Sequence, residues 1–428
     1  METMRAPFAS KTIVIVGGGV IGLSTAYYAS LRGHQVTVVD RNERDHLGCS
    51  FGNAGMVVPS HFVPLAAPGM VARGLKWMWN PESPFYIKPR LSWDLLSWGL
   101  RFCRASTSAH VQRCAPLLRD LHLESRECFE ELSGLAGDSF GFEKRGLLML
   151  CKTWHTLEEE AKTADEAALL GIPAKVLSAK ETAQLDPNVR MDIAGSVYFP
   201  KDCHLTPLRF MQALHRLLEA SGVHFEWSTD ILAWRKKQNR IQALETSRGD
   251  FVADEYVLCG GSWSQAMAAQ LGLNLPMQAG KGYSLTLPNP RQLPSICSIL
   301  TEARLAATPM GNTLRFGGTM EISGLNEDVD PARVRGIVKS VPQYFPEFST
   351  EDFQGIAPWH GLRPCSPDGM PYVGRFGQFK NLSTATGHAM MGLSLGPVTG
   401  KLMAQILSDE PAMIDLSLVN PDRYASWI

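Results

Sequence analysis

The sequence has no excess charge of one sign, no regularly spaced cysteines and no long apolar run, and each absence closes off a class. With a formal net charge of −1 and no basic block, it offers a nucleic acid no surface for releasing counterions. Nine cysteines (Cys49, Cys103, Cys114, Cys128, Cys151, Cys203, Cys259, Cys297 and Cys365) are scattered and never spaced as C-x-x-C. They read as reduced thiols of a cytoplasmic protein, against a disulfide framework or a zinc site. No window holds eighteen uncharged apolar residues, so no segment is expected to span a bilayer, and the first ten residues show no secretory apolar region. There is no Ser/His/Asp order, no carboxylate pair at a catalytic spacing, no metal-ligand cluster and no internal repeat. A catalytic metal is therefore not expected.

What is present is 428 residues, 45% hydrophobic and 19% charged, enough for a large core divided among two or more domains. The organising stretch is residues 12 to 40, TIVIVGGGVIGLSTAYYASLRGHQVTVVD. A β-branched strand runs into Gly17, Gly19 and Gly22 in the pattern G-x-G-x-x-G, a helix follows, and a second strand ends at Asp40. Gly17 permits the tight turn, Gly19 lets backbone approach a pyrophosphate, and Gly22 lets the helix lie close to the strand. Val20 and Ile21 open a helix whose N-terminus favours phosphate, and Asp40, followed by Arg41, would take a ribose hydroxyl. Strand, glycines, helix and acid agree on a dinucleotide.

Beyond Asp45 the chain is long, irregular and almost uncharged, so the segment from Ser50 to Met70 reads as backbone packed on a ligand, with Asn53, Ala54, Gly55 and Met56 placed to meet it; a ligand-free buried loop is the alternative. Trp77, Trp79, Trp93 and Trp98 stand among basic residues between 75 and 102. Aromatic packing is the favoured reading there, with a membrane-interface patch as the other. A helix is expected from about Ser106 to Ser133, a strand over 146–152, and a solvated helix ending at Gly171. From Pro207 a helix, a strand (223–227) and a hairpin beginning at Ile231 lead to the apolar strand DEYVLCGGSWS. Its Gly260, Gly261 and Trp263 suggest the nucleotide domain resumed. Residues 276 to 357 are rich in short strands. The chain ends in a strand (379–387) and a glycine-opened helix from His388, with Gly387, Met390, Met391, Gly392 and Leu393 at its start, a helix end suited to anionic charge on a reduced flavin.

Two side chains stand out for chemistry. Arg363, in GLRPCSPDG, could grip a carboxylate with two parallel N–H bonds, or could pair with Asp368. Tyr283, in QAGKGYSLTL, is a candidate hydroxyl near the site, though a buried tyrosine more often bonds to backbone. Lys281 is a similar case.

These motifs, together with CSFGNAG from Cys49, PLAAPGM from Pro64, DCHLTP from Asp202, WHGLRPCSPDGMPYVG from Trp359 and TGHAMMGLSLGPVTG from Thr386, resemble the D-amino-acid oxidase superfamily, most closely the bacterial D-amino-acid dehydrogenases. Cys49, where threonine or alanine is usual, and Ala389, where glycine is frequent, depart from the pattern. The resemblance implies an α/β plus α+β fold, with a Rossmann-like domain for non-covalent FAD at 11–90, 204–275 and 358–428, and a discontinuous, strand-rich substrate domain at 91–203 and 276–357. It implies that Arg363 binds the substrate carboxylate, that the N-A-G segment and the G-H-x-x-x-G helix start line the flavin, and that a D-amino acid gives up its Cα hydride to become an imine and then a 2-oxo acid. The expected electron acceptor is a quinone or another non-oxygen partner, and the location cytoplasmic, with peripheral contact on the inner face of the membrane left open. Within the class, a D-proline or cis-4-hydroxy-D-proline dehydrogenase and a glycine or sarcosine oxidase share the same motifs. A nicotinamide dehydrogenase and a flavoprotein subunit without turnover are the readings from other classes.

Overall fold

The computed structural model describes residues 9–425 apart from 78, 79, 81, 91 and 138; Trp79 lies outside the described residues. Strand Thr12–Val16 forms because four consecutive apolar residues, all of them buried, fill the centre of a sheet. That six-stranded sheet runs Tyr372–Arg375, Leu382–Thr386, Glu255–Leu258, Thr12–Val16, Gln35–Val39, His224–Glu226. All neighbours are parallel except the outermost pair, Tyr372–Arg375 against Leu382–Thr386. Strand order reverses at Thr12–Val16, and in such sheets ligands bind in the crevice outside the strands' carboxyl ends.

One face of this sheet buries helices Val20–Leu31, Pro207–Ala220 and Gly396–Leu407 in a single apolar cluster. The other face is covered by the three-stranded antiparallel sheet of residues 231–251 and by helix Ser264–Ala269. The expected hairpin at Ile231 is thus Ile231–Lys237 paired with Arg240–Thr246.

A larger mixed sheet runs Trp359–Cys365, Gln278–Pro288, Thr313–Ile322, Leu305–Met310, Cys297–Leu300, Leu147–Cys151, Gly195–Phe199, Lys175–Ser178, with Phe85–Ile87 paired to Thr313–Ile322. The expected boundaries shift in two places. Strand Trp359–Cys365, which carries Arg363, is hydrogen-bonded into this larger sheet along its whole length rather than into the nucleotide sheet. Helix Ser108–Leu135, expected with the substrate domain, instead contributes Cys114, Leu118, Leu121, Cys128, Phe129 and Leu132 to the core of the nucleotide sheet. Its apolar spacing was legible, but the face it would find was not.

Among the tryptophans, Trp98 is buried; its ring N–H donates to the Cys365 carbonyl (2.9 Å) and it stacks on Phe102. Trp93 on the same helix is 80% exposed. All nine cysteines are unbonded thiols, and no helix among the described residues is long and apolar enough to cross a membrane.

Candidate active site

At the carboxyl end of Thr12–Val16 the chain turns through Gly17, whose φ of +110° is left-handed and whose Cβ would sit 2.4 Å from the Cys259 carbonyl oxygen. A Cβ on Gly22 would lie 1.9 Å from the carbonyl oxygen of Gly17. Only glycine allows this strand and helix to touch. Gly19 caps the helix with no side-chain hydrogen bond of its own. Its Cβ would meet only Ser50 Oγ, at 3.5 Å. The first helical N–H, of Val20, donates to that same Ser50 Oγ (3.0 Å). Asp40 closes the turn: Oδ2 accepts the Gly18 N–H (2.7 Å) and Oδ1 the Asn42 N–H (2.8 Å), which leaves lone pairs for a ribose hydroxyl.

These groups open on one cavity of about 620 Å³, whose wall includes Gly17, Gly19, Val20, Ile21, Asp40 and Arg41. Arg41 lies 3.9 Å over the ring of Trp263. Trp263, Gly260, Gly261 and Ile231 reach the wall from the resumed half of the domain, Ser50 and Asn53 from the irregular loop, and His388, Gly392 and Leu393 from the carboxy-terminal turn. The expected convergence of both ends of the chain on one cavity is therefore present.

His388 is buried, its Nε2 is 3.0 Å from Thr399 Oγ1, and its Nδ1 has no partner. Burial pushes its pKa down to about 3, so the ring is neutral. An unpaired buried ring nitrogen in a cavity-lining residue fits a bound group with hydrogen-bonding edges, as the helix start at Gly19, where a Cβ would meet only Ser50 Oγ, fits a phosphate. The residues present fit FAD.

Several expected contacts lie elsewhere. Gly22 is behind the wall, against Gly17. Ala54 sits over Gly317, and Gly55 (φ +76°) is packed against the Leu205 carbonyl, its N–H on Asn53 Oδ1. Met56 is paired with His204 in a two-stranded ribbon. Gly387 packs on Tyr372, Met391 is in the core, and Met390 is 44% exposed. The reason is local: the helix begins at Gly396, and Ala389–Met391 form a separate 3₁₀ turn, Ala389 being left-handed at φ +49°. A turn presents different residues from a continuous helix.

Tyr283 is not at the cavity. It points to the opposite face of its strand, where its hydroxyl donates to Glu321 (2.8 Å) and accepts the Asp330 N–H (3.1 Å). Beside it the buried Lys281 ammonium lies 3.4 Å from Glu321 and donates to Asn326 Oδ1 and the Asp328 carbonyl. This is a structural joint that pins residues 326–330. Strand alternation makes it so, because Tyr283 and Lys281 are odd positions facing the core and Gly280 and Gly282 are even positions facing the cofactor loop.

Arg363 occupies that second face. It is not on the cavity wall itself, but its neighbours Leu362 and Pro364 are. Its guanidinium lies where a Cβ on Gly282 would be, and Nη1 donates to the Thr319 carbonyl (2.7 Å). Thr319, at φ +64°, sits in the bulge where the register between Gln278–Pro288 and Thr313–Ile322 slips. A bulge re-aims the backbone, here turning a carbonyl towards the arginine. The alternative pairing with Asp368 is excluded, since Asp368 is bound by Arg423 at 2.7 and 3.0 Å. Cys49, on the wall, feels Arg363 directly: burial pushes its thiol pKa up and the guanidinium partly offsets this. Sequence reasoning missed Trp227 and Trp359 on the wall. Trp227 follows a strand end on the cavity side of the sheet and could have been found that way; Trp359 is placed by tertiary packing over Gly52 and Gly361.

A glycine-turned, mostly parallel sheet with a cavity at its carboxyl edge and a second sheet beside it is the architecture of a dinucleotide-binding protein. The family described as FAD dependent oxidoreductase (DAO) matches residues 12–406, and the chain belongs to it. D-amino acid dehydrogenases of Bradyrhizobium diazoefficiens and Neisseria meningitidis are similar to it: 34% identical over 424 residues, covering 96% of this chain and 99% of the relative, and 35% over 421 residues, covering 95% and 98%. Among solved structures, glycine oxidase from Geobacillus kaustophilus superposes with a TM-score of 0.78 at 22% identity, covering 97% of this chain and 99% of that one, which establishes the shared fold.

Proposed function

We propose that the protein is an FAD-dependent dehydrogenase of D-amino acids that binds the substrate carboxylate on Arg363. The activity follows the dehydrogenases with which the chain aligns almost end to end. The observation that carries the residue assignment is the state of Arg363. It has no carboxylate partner among the described residues and rests on a single neutral carbonyl, and it faces the loop that carries the cofactor wall. A guanidinium held at one corner keeps other N–H groups for a bidentate carboxylate, which fixes both position and orientation.

When bound, the flavin supplies the acceptor for a hydride from Cα. The chain supplies the rest. Arg363 orients Cα, Gly282 leaves room for that arginine, and the large sheet with Trp359 covers the site against water. No carboxylate or histidine on the Arg363 face is needed as a base if the substrate reacts as its free amine. The electron acceptor is a quinone or similar carrier rather than oxygen. The protein meets a membrane peripherally through helix Trp93–Ala105, where Trp93, Leu96 and Leu100, exposed at 80%, 55% and 62%, line one face. Anaerobic mixing of the holoprotein with D-, L- and N-alkylated amino acids tests the substrate. D-enantiomers are expected to bleach the flavin absorbance, and bleaching by L- or N-alkylated substrates alone would overturn the reading. Air-saturated turnover tests the acceptor: peroxide formed at the rate of turnover refutes a quinone.

A further inference from the structure

We infer that Arg90 is a specificity-determining residue that favours amino acids whose side chain ends in a carboxylate, of about glutamate length. The inference rests on Arg363 as the α-carboxylate site. In the pairing of Gln278–Pro288 with Trp359–Cys365, Gln278 lies opposite Cys365, Gly280 opposite Arg363 and Gly282 opposite Gly361. Cross-strand partners share a face, so Gln278, Gly280, Gly282, Arg363 and Cys365 all face the same way.

Two guanidiniums stand on this face. Arg363 lies over Gly282, and Arg90 reaches the other end of the same strand, where Nη2 donates to Gln278 Oε1 (2.5 Å) and Nη1 packs against Gly324. Neither is paired with a carboxylate among the described residues. Each is anchored by one neutral oxygen, and the Arg90 Nε–H is buried with no partner. A cation whose N–H is withdrawn from water and left unsatisfied is costly unless something else completes it.

The ground between the two cations is apolar. Gly280 has no side chain, so Cys365 Sγ and Met320 lie across the strand there, at 2.9 and 3.3 Å from where its Cβ would be. Both belong to a small cluster with Ala389, which is on the cavity wall. Gln278 and Gly282 are four residues apart, about 13 Å along an extended strand. A five-carbon dicarboxylate spans roughly 5 Å between its carboxyl carbons, and a guanidinium–carboxylate pair adds about 4 Å at each end. The substrate's methylenes would then pass over Met320, which keeps 8% of its surface, and not over the fully buried Cys365, with the distal carboxylate on Arg90.

The test compares D-glutamate with D-norvaline, which has the same five carbons and no distal charge, using wild-type holoenzyme and Arg90→Met. Wild type is expected to give kcat/KM at least tenfold higher for D-glutamate, and Arg90→Met to lose at least tenfold more on D-glutamate than on D-norvaline. A wild type that favours D-norvaline, or a variant that loses equally on both, overturns the assignment. Should neither amino acid reduce the flavin, the dehydrogenase reading fails, but Arg90 is still read by titrating glutarate and butyrate against the flavin absorbance of the oxidised holoenzyme. Tighter glutarate binding that Arg90→Met abolishes supports the inference, and equal binding of the two acids refutes it.

Discussion

Gly282→Ala probes the carboxylate site without touching a charged group. The added Cβ would lie 2.1, 2.2 and 2.3 Å from Nη1, Nη2 and Cζ of Arg363. Non-bonded heavy atoms settle at about 3.5–4.0 Å, so the guanidinium must retreat by more than roughly 1 Å, and the 2.7 Å bond to the Thr319 carbonyl stretches or breaks with it. Misplacement of a positioning group by about 1 Å costs on the order of 10²-fold, or about 2.7 kcal/mol. Steady-state kinetics with an artificial dye acceptor should show kcat/KM for every amino-acid substrate falling by that factor, mainly through KM, with flavin content and absorbance unchanged. In an Arg363→Leu background the same alanine should cost almost nothing further, because the group it displaces is already gone. A KM within threefold of wild type, or full additivity in the double variant, would show that Arg363 does not bind substrate from the position it holds.

Three other perturbations separate fold from function. Tyr283→Phe should leave kcat/KM within about threefold while lowering stability by roughly 1–3 kcal/mol in urea denaturation, since the Glu321 carboxylate and the Asp330 N–H each lose a buried partner; a large loss of kcat at normal stability would restore Tyr283 as a catalytic group. Gly19→Ala should weaken FAD binding severely while the apoprotein melts normally, because its Cβ meets only Ser50 Oγ, whereas Gly22→Ala should cripple folding through a clash with the Gly17 carbonyl; retention of flavin by Gly19→Ala would argue against pyrophosphate at that turn. Asp202, buried and accepting the Ser60 N–H at 3.0 Å, has its pKa pushed from 3.8 up to about 7, chiefly by desolvation. The folded state therefore binds a proton that the unfolded state has released, and stability should fall between about pH 4 and 7 by on the order of 4 kcal/mol relative to Asp202→Asn; parallel stability curves for the two proteins would refute the shift.

What the sequence made legible follows from the range over which each constraint acts. The turn at Gly17, Gly19 and Gly22 is written within a few residues, because strand, turn and helix must each be locally satisfied; the Cys259 carbonyl against Gly17 and the Ser50 hydroxyl at the helix start come from elsewhere in the chain. The carboxy-terminal segment was readable only in outline. Its glycines marked a ligand-facing turn, but whether Gly387 or Gly392 faces the cavity depends on Ala389 adopting a left-handed conformation, and alanine gives no hint of that. Tyr283 shows the limit most plainly. Gln278–Pro288 is buried on both faces, so hydrophobic alternation says nothing about which parity meets the cofactor loop. The answer lies 40 residues downstream, in an acid at Glu321 whose carboxylate needs the Lys281 ammonium, and across the sheet in an arginine that needs a missing Cβ. Gly280 and Gly282, alternate residues in a strand, were the available signal: a sheet gives up side chains on one face only where something else must occupy that face. Here the occupants are the side chains of Cys365 and Met320 and the guanidinium of Arg363, so the same two glycines that weaken the strand mark the face that carries Arg363.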